Sequence, residues 1–107
     1  FVDAGVVVLA AFITPFEEDR MKIRESIGAD DFLHVFVDCP IEVCENRDVK
    51  GLYAKARAGE IKNFTGISSP FETPQHNDLI IKSATEKQEE SVARLLSFCL
   101  KQINHNF

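Results

Sequence analysis

The sequence is as informative in what it withholds as in what it holds. No apolar run approaches the roughly 18–20 residues needed to cross a bilayer; the longest, Val6–Ile13, has the length of a strand. The opening residues, Phe1-Val2-Asp3-Ala4-Gly5, carry no basic n-region, so no secretory signal is expected. Cysteine is scarce and odd in number: Cys39, Cys44 and Cys99, with no C-x-x-C. That excludes a disulfide framework and a zinc site of ordinary spacing. Cys44 and Cys99 fall on apolar helical positions, as buried thiols in a reducing compartment would, and a cytoplasmic location is expected. His34, His76 and His105 form no ligand spacing, and no metal residues are assigned. There is no internal repeat and no low-complexity tract. A net charge of −5 over 107 residues argues against general nucleic-acid binding.

Within that acidic chain lies a basic island. Between Arg47 and Lys62 stand Arg47, Lys50, Lys55, Arg57 and Lys62 against Asp48 and Glu60, a local surplus of three positive charges. Such an island suits a small anionic ligand better than a polymer. A solvated lysine-rich helix is the plainer reading of the same residues.

The hydrophobic pattern predicts alternating strands and helices. Val6–Ile13 is apolar throughout and β-branched in its first half, the habit of a strand buried on both faces. Thr14-Pro15-Phe16-Glu17 reads as a helix start, with Thr14 as N-cap, Pro15 at the first helical position and Glu17 closing a capping box. A charged helix to about Ile27 ends at Gly28. Phe32–Val37 is a second expected strand, followed by a short helix from Pro40 to about Asn46. Leu79–Ile81 is a third strand. Thr85-Glu86-Lys87-Gln88 is a second capping box and opens a helix with Val92, Leu95, Leu96, Cys99, Leu100 and Ile103 at helical spacing. This order implies an α/β fold with a parallel sheet covered by helices on both sides, a three-layer α/β/α arrangement. Two-sided strands need neighbours beyond those the sequence supplies, so residues are expected upstream.

Between Lys50 and Asp78 the pattern changes. Lys50–Lys62 has helical composition interrupted by Gly51 and Gly59, and Asn63–Asp78 is rich in Gly, Ser, Pro, Thr and Asn. A long irregular segment inside a compact α/β unit is usually functional or disordered. Glycine-hinged basic segments close over phosphates in phosphoryl-transfer enzymes, so residues 50–78 read as a lid. Phe64 lies on no apolar face; it either stacks on a nucleobase or plugs the loop onto the core. Thr14, above a strand end and at a helix start, is an anion-site candidate or simply a cap.

The ordered blocks Phe1–Gly5, Phe12–Phe16, Val35–Asp38, Cys44–Tyr53 and Ala56–Ile67 closely resemble the adenylylsulfate (APS) kinases. The likeness runs from Phe1 to about Ile81, and the block Arg47–Ile67 is its most specific part. The resemblance implies a P-loop kinase-like fold of which residues 1–107 are the carboxy-terminal portion, truncated at the N-terminus. It implies transfer of the γ-phosphate of Mg·ATP to the 3′-hydroxyl of adenylylsulfate, with ATP and Mg2+ as cofactors and a homodimer as the assembly. A fused or associated ATP sulfurylase is a further implied partner. No G-x-x-x-x-G-K-[S/T] phosphate loop occurs in the chain. Catalysis by the 107 residues alone is therefore not expected.

By the same resemblance, Ile13 and Thr14 contact adenylylsulfate, Thr14 standing where the family commonly has a serine. Lys50 reaches the same nucleotide. Asn63 and Phe64 form its lid pair, Phe64 stacking on the adenine, and Asn63 stands where glycine is usual. Arg47 and Ala84 meet the ATP base. A reading from another class is a non-catalytic, APS-kinase-like nucleotide-sensing domain of an ATP sulfurylase.

Overall fold

The structure is a computed structural model that describes residues 1–105 of the chain. A 3-10 turn, Val2–Ala4, ends at Gly5 in the left-handed conformation. Four α-helices follow, α1 (Glu17–Ile27), α2 (Ile41–Arg47), α3 (Leu52–Arg57) and α4 (Gln88–His105), with a second 3-10 turn at Ala29–Asp31. Two strands, β1 (Val35–Asp38) and β2 (Leu79–Lys82), pair in parallel, Val35 opposite Leu79 and Asp38 opposite Lys82. Parallel neighbours need a long crossover. Here it carries α2, α3 and the irregular segment, leaving the carboxyl end of β1 into α2 and returning through the Gln75–Asp78 stretch to the amino end of β2. Ser83 N–H donates to the Asp38 carbonyl and prolongs the ladder by one bond.

The parallel α/β class is as the sequence implies. The expected strand at Val6–Ile13 is not: it forms no regular element, and Phe12 is 82% exposed. A strand exists only through ladder bonds to a neighbour. Among the described residues the one sheet has two strands, and neither lies beside this run.

Both expected capping boxes are replaced by longer-range bonds. α1 begins at Glu17 with Phe16 as its N-cap and no side-chain cap. Thr14 does not cap it. Instead the Glu72 carboxylate accepts the Glu17 N–H, and the Glu17 carboxylate accepts the Gln75 N–H, each at 3.0 Å. The first-turn donors of the helix are thus met by a segment distant in sequence, which local pattern cannot show. At α4, Thr85 and Glu86 lie in the preceding turn. Glu86 reaches back to the Lys82 N–H and pairs with Arg94 rather than capping the helix. Gly28 does end α1, at φ 99.

On α4, Leu95, Cys99 and Ile103 are half-buried, together with Phe98 and Gln102, whereas Val92, Leu96 and Leu100 stay exposed. The apolar stripe is wider than the face that β2 covers. The buried apolar centre is small among the described residues: Ala56 of α3 and Ile81 of β2.

Candidate functional site

Asp48 organises the approach to the basic segment. It follows α2, and its two carboxylate oxygens accept the N–H groups of Tyr53 and Ala54 at 2.9 and 3.0 Å. A carboxylate there satisfies orphan donors and matches the positive end of the α3 dipole. Gly51, at φ 68, makes the turn that this cap requires. Lys50 is held in that turn with its side chain exposed, and it enters no ion pair among the described residues.

The five basic residues divide into two groups. Arg57 grips Glu45 of α2 with two bonds, 2.6 and 3.1 Å. This bidentate pair holds the Glu45 carboxyl below its usual range and lifts the Arg57 guanidinium. Arg47 donates from Nη2 to the Ser83 carbonyl at 3.0 Å. Lys50, Lys55 and Lys62 remain exposed and outside any ion pair among the described residues, so with Arg47, whose partner is a neutral carbonyl, they supply the field available to an anion.

Phe64 is the centre of a tight turn. Its carbonyl accepts the N–H groups of Ile67, Ser68 and Ser69, and its own N–H donates to Ser68 Oγ at 2.8 Å. The ring is half-buried and meets Tyr53 edge-on, centroids 5.0 Å apart at 74°. That contact holds the ring beside α3, neither fully exposed nor fully buried. Asn63 sits at φ 54. This left-handed conformation favours glycine and is tolerated best, after glycine, by Asn and Asp. Asn63 therefore holds a backbone shape that glycine would adopt freely. Gly66, at φ 86, lies so close to α2 that a Cβ there would come within 2.9 Å of Ile41 Cδ1.

Ile13 is exposed and Thr14 half-buried, with Thr14 at φ 38. A β-branched residue in that region is a genuine outlier. Its carbonyl accepts from Arg20 Nε at 2.8 Å, and Arg20 is buried. Arg20 Nη2 also donates to the Glu72 carbonyl, and Glu72 N–H donates to the Pro15 carbonyl at 2.8 Å. The far end of the irregular segment is thereby sewn to the start of α1.

The structure brings two sets of the sequence-predicted residues together. Arg47 reaches the turn that contains half-buried Ala84, and Asn63-Phe64 pack beside α3, just past Lys50. Ile13 and Thr14 make no hydrogen bond or ring contact with either set among the described residues. Sequence reasoning missed Arg20, Asp48 and Glu72: Arg20 donates to carbonyls of irregular backbone, and the two carboxylates accept N–H groups from the starts of α3 and α1. A hollow of about 520 Å³ between α1, β1 and the Gln75–Asp78 stretch holds Arg24, His34 and Asp78 but none of the predicted site residues. Cys44 and Tyr53 lie together, and burial pushes both the thiol and the phenol up.

A helix that starts at the carboxyl end of a parallel strand, followed by a basic segment with an exposed lysine and a half-buried aromatic, is the arrangement of a ligand-binding α/β protein. The family model for adenylylsulphate kinase matches residues 1–82. An adenylyl-sulfate kinase from Bacteroides thetaiotaomicron is 55% identical over 103 residues, which cover 96% of this chain and 51% of that protein. One from Clostridium kluyveri is 47% identical over 98 residues, covering 92% and 49%. In structure, the Mycobacterium tuberculosis APS kinase CysC, solved in complex with AMPPNP and APS, superposes with a TM-score of 0.83 at 43% identity, over 91% of this chain and 57% of that one. The chain belongs to the adenylylsulfate kinase family and spans about half the length of the curated relatives it matches.

Proposed function

We propose that this chain is the adenylylsulfate-binding and lid portion of an adenylylsulfate kinase. In the whole protein the 3′-hydroxyl oxygen of adenylylsulfate attacks the γ-phosphorus of ATP. The bond from that phosphorus to the bridging β–γ oxygen breaks, ADP leaves, and the hydroxyl proton is released. The products are 3′-phosphoadenylylsulfate and ADP, the activated-sulfate step of sulfate assimilation.

The chain's own residues bind and orient. Lys50, with nothing competing for its ammonium among the described residues, is the point charge for the anionic part of adenylylsulfate. Phe64 offers its ring to the adenine from a position braced by Tyr53. Asn63 sets the backbone that lets the lid approach. Ile13 and Thr14 line the substrate side, Thr14 offering a hydroxyl. Arg47 and Ala84 frame the ATP base. With residues 72–75 pinned to α1, the movable part of the 50–78 lid lies between Lys50 and Pro70.

Among the described residues no three His, Cys, Asp or Glu side chains converge as ligands. In this reading Mg2+ accompanies ATP and is held mainly by the upstream half of the whole protein. A homodimer, an associated ATP sulfurylase and a cytoplasmic location complete the reading; the last fits three free cysteines.

The observation that carries the proposal is the Arg47–Ile67 segment. Within the family match, it presents a free lysine, a left-handed residue before an aromatic, and an arginine fixed on the turn after β2. The test is a coupled assay of 3′-phosphoadenylylsulfate formation from ATP and adenylylsulfate. The full-length protein should turn over, and the 107-residue chain alone should not. A full-length protein that binds both nucleotides without phosphoryl transfer would overturn the kinase reading.

A further inference from the structure

Arg20 is the buried charged residue of the described chain, 6% exposed. A guanidinium so placed needs its N–H groups paired. Nε donates to the Thr14 carbonyl at 2.8 Å and Nη2 to the Glu72 carbonyl at 2.6 Å. Nη1 faces the Glu17 carboxylate at 3.4 Å, and the Phe71 ring lies 5.1 Å from the guanidinium carbon. The planar fork therefore spans two irregular segments, the loop before α1 and the far end of the lid.

We infer that Arg20 is a positioning residue for adenylylsulfate: it holds Thr14 in its left-handed conformation and clamps Phe71-Glu72 against it, without meeting the substrate. This rests on the proposed function, in which Thr14 lines the adenylylsulfate side. A β-branched residue at φ 38 stays there only when its surroundings impose that shape. The bond to its carbonyl is such a constraint. Glu17 completes the clamp by accepting from both Arg20 and the Gln75 N–H, which holds its carboxyl below the usual range.

The bracing is one-sided. The Arg20 bonds run to Thr14, Glu17 and Glu72, whereas the ATP-side contact, Arg47 on Ser83, joins α2 to the turn after β2. Loss of the clamp should thus disturb one substrate and spare the other. A lysine keeps the charge but cannot present two fixed N–H donors to two carbonyls.

The experiment measures KM for each nucleotide, and Tm, on the full-length protein with Arg20→Lys and, separately, Phe71→Leu. Arg20→Lys should raise KM for adenylylsulfate about tenfold, the loss of one charge-assisted hydrogen bond, with KM for ATP unchanged. Phe71→Leu leaves both carbonyl bonds in place and removes the ring under the guanidinium, together with its stack on Phe36. It should raise the same constant about threefold, and it supplies the test if Arg20→Lys does not fold. A fall in Tm with both KM values unchanged, or with both rising together, would make Arg20 a brace of the fold and overturn the inference. A wild-type protein without turnover would instead sink the kinase reading, and the inference with it.

Discussion

Arg47 at the end of α2 donates to the carbonyl of Ser83 in the turn after β2, at 3.0 Å. One side chain thus ties the helix that leads into the basic segment to the turn that carries Ala84. Replacing Arg47 with Ala frees a carbonyl and lets the turn move. The expected result is a KM for ATP raised roughly fivefold, the worth of one ordinary hydrogen bond, with KM for adenylylsulfate unchanged. Steady-state kinetics of the full-length protein with each nucleotide varied in turn checks this.

Lys50 differs from Arg57, which is paired with Glu45, and from Arg47, which is tied to the Ser83 carbonyl, because its ammonium has no partner among the described residues. A charge-assisted hydrogen bond to a partly buried anion is worth about 1.5–3 kcal/mol. Lys50→Ala should raise KM for adenylylsulfate by about one to two orders of magnitude and leave Tm within a degree or two, since an exposed side chain is removed. An unchanged KM would remove Lys50 from the site.

Acid should unlock the pairs that hold the segment. Glu45 is held below the ordinary 4.5 by the Arg57 hydrogen bonds, and Glu86 by its bond to Arg94. A folded-state pKa below the unfolded one gives stability that is present above the unfolded value and lost as pH falls through the folded one. The urea midpoint should be flat from neutral pH down to about 5 and fall below the ordinary carboxylate value. Glu45→Gln should reduce that fall. A midpoint that rises on acidification would contradict the assignment.

Much of the architecture was legible in the sequence. β1, β2, α1, α2 and α4 lie within a few residues of where periodicity and turn residues put them, because each is set by local pattern. The family blocks named the same segment that the structure folds around Asp48 and Phe64. Illegible were features owed to distant backbone: the pinning of α1 by Glu72 and Gln75, the burial of Arg20, and the way Glu86 turns back to Lys82. Val6–Ile13 has the composition of a strand, but strand formation depends on a neighbour's unpaired N–H and C=O groups, which composition does not encode.

The central claim is that the lid segment reads adenylylsulfate through Phe64, and one variant tests it most directly. Phe64→Ala should weaken adenylylsulfate binding by about 1–3 kcal/mol, the worth of a base stacked on an aromatic. Titration of the full-length protein with each nucleotide should show ATP affinity unchanged, and Tm should fall only slightly because the ring is half-buried against Tyr53 alone. If Phe64 were instead a core plug, its loss would cost about 3–5 kcal/mol of stability. A large drop in Tm with adenylylsulfate affinity intact would contradict the account.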